Sequence, residues 1–348
     1  MLLDVRIFAL LLLLPLSGCG SLYLAQAAAG QWGVMAAREP IETVVADPAT
    51  PQELRARLEQ VMAAREFASR ELALPDNASY RQYAALDRPY VVWNVVAVPE
   101  FAIEPKEWCF PIAGCIAYRG YFSEQRARNY ALTLESRGYD VVVGGVAAYS
   151  TLGRFADPVL STMMGYGDAQ LVGVIFHELA HQVVYVAGDS AFNEAFAVAV
   201  EQEGLARWLA WRGELGQLDA WRRSRAAQTQ LAALFATHRE LLQRLYASDL
   251  DAPAMRERKR AILAGLAAEV RALEARSGMR IGYGHIDAGL NNAHLASVAT
   301  YFDCVPGFER LFAAQGGDLP RFYAAVKALA REPLAARHAA VCGALARN

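Results

Sequence analysis

The stretch Val172–Tyr185, VGVIFHELAHQVVY, opens the second half of the chain and decides how that half is read. It is apolar apart from two histidines, a glutamate and a glutamine, and its spacing is that of a buried helix. Successive residues of a helix advance by about 100°, so His177 and His181, four apart, project from one face a turn apart. Glu178 lies about 100° round from His177. From Asp168 onward almost every segment has helical periodicity, broken at Gly188, near residues 214 and 250, and near 280. The preceding 19–165 region mixes helices with strands. A helix is expected over Thr50–Leu72, and a strand in PYVVWNVVAVPEF. A loop leads into a second strand in WCFPIAGCIAYRGYF. A Ser-capped helix ends at Gly138, and YDVVVGGVAAYSTLGRF gives a strand, a turn and an edge strand. The expected class is α+β: one domain over 19–348, with a mixed half (19–165) and a helical half (166–348).

Two imidazoles at this separation can share one metal ion, and a glutamate beside the first can reach a water bound to it. His177 and His181 are therefore candidate ligands of one Zn2+ ion, and Glu178 the candidate general base. Asp168 is read as the N-cap of this helix, and Gly173, four residues before His177, as leaving room near the metal. A catalytic zinc needs a third ligand and an open position. The next helix, DSAFNEAFAVAVEQEGLARWL, offers Glu194, 13 residues past His181, and Glu201, 20 past it. They share a helix face, and geometry alone leaves both open.

The first residues carry a different signal. MLLDVRIFALLLLLPLSGC has an apolar run too short to span a bilayer, ending in Leu-Ser-Gly-Cys at 16–19. This tetrad resembles the lipobox of bacterial lipoproteins. The resemblance implies a signal peptide over 1–18, lipidation of Cys19, and anchoring to the bacterial envelope, with Gly20 favouring the outer membrane facing the periplasm. Outside the cytoplasm thiols pair. Of the three connectivities open to the other four cysteines, Cys109–Cys115 and Cys304–Cys342 are preferred. The net charge of −2 over 348 residues argues against a nucleic-acid partner.

FNEAFA, at 192–197, is similar to the Asn-Glu-x-Phe-Ala string of the aminopeptidase N class of gluzincins. The resemblance makes Glu194 the third ligand. The spacing of those families, nearer 20 residues, points instead at Glu201, which otherwise orients a histidine or binds substrate. Further strings are WCFPIAGCIAYRGYF, AYSTLGRFADPVLSTM, FHELAHQ, FNEAFAVAVE and NNAHLASVATY. With LSGC they resemble, along the whole chain, a family of bacterial lipoproteins described as aminopeptidases. That implies a zinc-dependent metallopeptidase acting on peptides or proteins. In gluzincins a tyrosine or histidine commonly stabilises the oxyanion; the candidates here are Tyr301, Tyr149 and His285. AYSTLGRF is alternatively a strand that pairs with an extended peptide. His238, His294 and His338 are read as surface residues. The upstream Gly-x-Met-Glu-Asn string of aminopeptidase N, which grips a free amine, is missing, so Asp157 or Asp168 would have to replace it. An endopeptidase and a non-catalytic envelope lipoprotein with a structural metal are the alternatives.

Overall fold

A computed structural model describes residues 19–110, 114–148, 150–279, 289–302 and 304–342, with backbone alone for 19–21 and 299–302. The leader 1–18, the Cys19 thiol, Tyr149, His285 and the Tyr301 side chain therefore lie outside the described residues.

In chain order the elements are α1 (Cys19–Ala36), β1 (Arg38–Pro40), α2 (Ile41–Ala46), α3 (Gln52–Glu71), β2 (Gln82–Ala84), β3 (Val92–Pro99), β4 (Trp108–Phe110), β5 (Gly114–Ile116), β6 (Arg119–Tyr121), α4 (Glu124–Glu135), β7 (Tyr139–Val146) and β8 (Val159–Leu160). A 3-10 turn (Ser161–Gly165) leads into α5 (Asp168–Ala180), α6 (Ser190–Trp211), α7 (Leu215–Tyr246), α8 (Ala252–Ser277), α9 (Asn292–Phe302), α10 (Val305–Ala314), α11 (Leu319–Leu329) and α12 (Leu334–Val341). The class is α+β, with small sheets before residue 165 and helices after it.

Three small sheets are present among the described residues, in the orders β1-β2-β8, β6-β3-β7 and β4-β5. The longest ladder is the antiparallel β3–β7 pair, from Val92 opposite Val146 to Pro99 opposite Tyr139. Its alternating pattern buries Trp93, Val95 and Ala97 against Ala127, Ala131 and Leu134 of α4. Ser123 caps α4 by accepting from the Arg126 N–H, and Gly138 follows with a positive φ, as the sequence predicts. The largest core gathers α3, α5, α6, α10 and α11 around Phe67, Phe176, Phe196, Trp208, Phe308 and Phe322. A second core, with Leu242, Leu266, Val270 and Leu295, joins α7, α8 and α9. Lys259 ties α8 to the sheet, its Nζ 2.6 Å from Asp140 Oδ2 and 2.8 Å from the Glu100 carbonyl.

The edge strand expected within AYSTLGRF does not form among its described residues. Residues 147–148 and 150–158 are irregular, and β8 begins only at Val159. Asp157 explains this: its carboxylate accepts from Ser150 Oγ, Thr151 N and Thr151 Oγ1, curling the segment into a turn. Asp168 is the first residue of α5 rather than its cap; Gly167 occupies the cap position. The apolar tail of the opening stretch is not helical either, because α5 stops at Ala180. His238 is buried at 4 % exposure, against the surface reading, with Nδ1 2.9 Å from the Leu234 carbonyl. His338 is engaged with Asp189, and His294 is part-buried beside Asn291.

Candidate metal centre

The site is built where α5 ends and α6 returns against it. His177 stands in the last turn of α5, and His181 is its C-cap residue. After His181 the chain tightens through short-range bonds from Gln182 to Leu179 and from Val183 to Ala180. Asn193 then fixes the irregular link to α6. Its Oδ1 accepts from the Val186 N–H at 2.8 Å, and its Nδ2 donates to the Val186 carbonyl at 2.7 Å. Asp189 caps α6 by accepting from Phe192 N, and is itself held by Arg337 and His338 from α12. The residue before Glu194 thus holds the loop, and the register of α6 follows from that.

The two imidazole rings are 4.9 Å apart and nearly perpendicular, at 85°. Glu194 Oε2 lies 3.3 Å from His177 Nε2 and 3.7 Å from His181 Nε2. Potential ligand atoms of His177, His181 and Glu194 all lie within 4.8 Å of one another, the one such cluster among the described residues. Glu201, two turns further along α6, approaches the other side of His177, with Oε2 3.1 Å from Nδ1. Glu194 thus faces both rings, while Glu201 holds one of them from behind. Gly173 makes room for Glu201 rather than for the cluster centre: a Cβ there would sit 3.1 Å from Glu201 Oε1.

The donor set fits a borderline-soft divalent cation such as zinc, with two imidazole nitrogens and one carboxylate. A second observation agrees. His181 Nδ1 is buried and has no hydrogen-bond partner, and its Nε2 lies 3.7 Å from Glu194 Oε2, beyond hydrogen-bond distance. Such a ring is poorly satisfied by the protein alone.

Burial dominates the electrostatics. It pushes the Glu178 carboxyl up to about 7; His177 opposes the shift, and Glu194, Asp157 and Glu201 add to it. Burial lowers His181 to about 4, with Glu194 opposing. At His177 burial works against the proton, but the hydrogen bonds it donates to Glu194 and Glu201, with their charges, outweigh it and hold the imidazole well above the usual histidine range.

These groups open into a cleft of about 510 Å³. Its far walls come from α1, β3, β6 and the end of β7, through Tyr23, Ala27, Asn94, Gly120 and Val146. Tyr118, Tyr166 and Tyr185 also line it. Burial raises the Tyr118 hydroxyl above the ordinary phenol value, and the charges of Glu194, Tyr185 and Glu178 raise it further. It is therefore a protonated donor close to the acidic cluster. Nothing in the sequence separated Tyr118 from the other 14 tyrosines. Tyr118 lies in the short link between β5 and β6, just after the β4–β5 hairpin, which the Cys109–Cys115 disulfide closes and whose Gly114 meets the backbone of Ala187 and Gly188. The Cys304–Cys342 disulfide is also present. Asp157 and Asp168 do not line the cleft; Asp157 is committed to its turn, and the Asp168 side chain is 61 % exposed beside Arg57.

Residues 22–341 match the family described as "Putative aminopeptidase". The chain belongs to that family. No curated protein and no solved structure matches it. As a family member it is read as a peptidase acting on peptides.

Proposed function

We propose that this aminopeptidase-family chain is a zinc-dependent metallopeptidase that removes residues from the amino terminus of peptides, and that lipid on Cys19 holds it in the bacterial envelope. The observation that carries the catalytic reading is the meeting of His177, His181 and Glu194 beside Glu178 in a cleft of ligand-binding size. His177, His181 and Glu194 would hold the ion and leave a position open. Bound zinc supplies a water of lowered pKa and a Lewis acid for a carbonyl.

The chain's own residues account for the rest of the chemistry. Glu178, which burial pushes up to about 7 when no ion is bound, is the carboxyl beside the cluster that can accept a proton and return it to a leaving amine. Glu201 fixes the His177 ring through Nδ1, which leaves Nε2 directed at the cluster. Tyr118 remains protonated and can donate to a developing oxyanion. The described cleft lining contains three acids and no lysine or arginine. All three acids are already engaged, Glu194 as a ligand, Glu178 as the proton acceptor and Glu201 on His177, so the aminopeptidase reading over the endopeptidase one rests on the family match.

The test compares peptides with free and acetylated amino termini, using wild type and Glu178→Gln. Glu178→Gln is expected to retain zinc and lose hydrolysis by roughly 10²–10⁴-fold. Undiminished turnover by that variant would sink the mechanism. Equal cleavage of acetylated peptides would replace the aminopeptidase by an endopeptidase.

A further inference from the structure

Helix α1 carries no charged residue along its 18 positions, CGSLYLAQAAAGQWGVMA. A helix apolar all round is normally buried. This one is buried on one side only. Its inner side packs on the cleft wall. The Tyr23 ring lies 5.4 Å from Phe110 and 5.5 Å from Tyr121, and Arg119 sits over it at 4.1 Å. The Gln26 carboxamide accepts from the Phe122 N–H and donates to the Gly120 carbonyl, covering the outward backbone groups at β6. Gly30 lies against the Phe122 ring, where a Cβ would not fit, and Val34 is buried in the main core.

The outer side is bare. Leu22 and Trp32 are each 76 % exposed, Leu24 is 51 % exposed, and Ala25, Ala28, Ala29, Gly33 and Ala36 are exposed with them. These positions recur at three- and four-residue spacing and form an uncharged stripe down the helix. No helix among the described residues is long and apolar enough to cross a membrane.

We infer that the outer face of α1 lies in the plane of a phospholipid bilayer, so that one helix is both a membrane-contact surface and a wall of the catalytic cleft. The occupant follows from the chain itself. The helix begins at Cys19, directly after an apolar leader that is not part of the mature chain on the lipoprotein reading. An acyl-bearing first residue places the helix at the lipid surface, with Leu22, Leu24 and Trp32 within its reach. An uncharged stripe with a tryptophan and leucines suits the boundary of headgroups and acyl chains. A single attachment point also benefits from a second apolar contact. The inference rests on the anchoring part of the proposed function and is independent of the zinc chemistry.

The experiment uses the lipidated chain in phosphatidylethanolamine–phosphatidylglycerol vesicles that contain acyl-brominated lipid. Mass spectrometry of the mature protein settles the anchor separately. Tryptophan fluorescence is compared between wild type and Trp32→Phe. The expected result is quenching in wild type, with that component missing from Trp32→Phe. Equal quenching of the two proteins, with the lipid shown to be attached, overturns the inference. A parallel arm uses the Cys19→Ser chain without lipid. Its vesicle partitioning should fall at least about tenfold on Leu22→Asp with Trp32→Asp, at unchanged circular dichroism. Retained partitioning overturns the proposal even if Cys19 proves unmodified. So does a vesicle-free dimer that Trp32→Asp dissolves, since the face would then belong to a second copy.

Discussion

Glu201 Oε2 lies 3.1 Å from His177 Nδ1, while Glu194 Oε2 lies 3.3 Å from Nε2 of the same ring. The two glutamates of α6 grip one imidazole from opposite sides, and their roles divide accordingly. Only Glu194 also approaches His181. Replacing Glu194 by alanine removes a ligand and is expected to abolish stoichiometric zinc binding. Replacing Glu201 by alanine leaves the three ligands and frees the ring, which typically weakens affinity by roughly 10–100-fold. Zinc titration of the two variants with a competing chelator separates the roles. A Glu201→Ala protein without zinc, beside a Glu194→Ala protein that keeps it, would reverse the assignment.

Gly173 offers a way to disturb this contact without touching a ligand. Alanine in a helix interior is intrinsically favoured over glycine by about 1 kcal/mol. Its Cβ here would press on Glu201 Oε1 at 3.1 Å, the end of a side chain that can swing away. Gly173→Ala should therefore melt close to wild type, yet bind zinc more weakly, by less than Glu201→Ala does. A calorimetric titration alongside a melting curve reads both. Unchanged affinity would show that the Glu201 contact has slack the distances do not suggest.

The proton on His177 sets a pH dependence. Its pKa in the folded protein is raised above the ordinary 6.5. A raised folded pKa contributes stability that is complete below about 6.5 and lost as pH rises through the folded value. Glu178, raised from 4.5 to about 7, loses its contribution in the same direction across that interval. Chelated protein should therefore melt at progressively lower temperature as pH rises above about 6.5, where His181, lowered to about 4, no longer opposes the trend. Zinc must displace the His177 proton, so its stabilising effect should widen over the same range, with release of about one proton per ion. Calorimetry in buffers of different ionisation enthalpy counts the proton. A chelated protein whose melting temperature rises over that range contradicts the assignment.

Much of this centre is legible in the sequence because helix periodicity alone places His177 and His181 on one face. The choice between Glu194 and Glu201 is not. It depends on where α5 stops and how many residues the link consumes. Read as helix almost to Gly188, the chain sets the meeting point between the two glutamates. In the structure α5 ends at Ala180, and Asn193 bonds back to Val186. That hook places Glu194 against both histidines and Glu201 a step behind. The AYSTLGRF segment failed as a strand for a similar reason. Its Ser and Thr residues bond to Asp157, a contact without helical or strand periodicity, and Leu152 and Gly153 take positive φ. Tyr118 enters the cleft from the link that follows a cross-linked hairpin, for which local pattern carries no signal.

The Asn193 hook is itself testable. Asn193→Ala removes both bonds to Val186 and leaves the part-buried Val186 N–H unpaired, at a cost of about 1–3 kcal/mol, while the Val186 carbonyl keeps the Asp189 N–H. The link should loosen and α6 lose its fixed register, so zinc affinity should fall although no ligand has changed. Asn193→Asp, which keeps an acceptor for the Val186 N–H, should lose less. The order wild type, Asp, Ala in both melting temperature and zinc affinity is the expected result; a drop in stability with zinc affinity intact would confine Asn193 to folding.

The two disulfides should separate stability from activity. Cys304–Cys342 closes a sequence separation of 38 and Cys109–Cys115 one of 6. Loop-closure entropy then gives roughly 4 kcal/mol to the first and roughly 2.5 kcal/mol to the second. Proximity to the site runs the other way. The short bridge closes the hairpin whose Phe110 and Ile116 line the cleft and whose Gly114 meets Gly188 in the link between α5 and α6. The long bridge joins the start of α10 to the end of α12, and Cys304 and Cys342 do not line the cleft. Paired serine replacements should therefore cross over. Removing Cys304–Cys342 should cost more in melting temperature and little in kcat/KM at temperatures where the protein stays folded. Removing Cys109–Cys115 should cost less in melting temperature and more in kcat/KM, because it loosens a cleft wall that carries Tyr118. If both variants lose activity only in proportion to their melting temperatures, the hairpin shapes the fold and not the reaction.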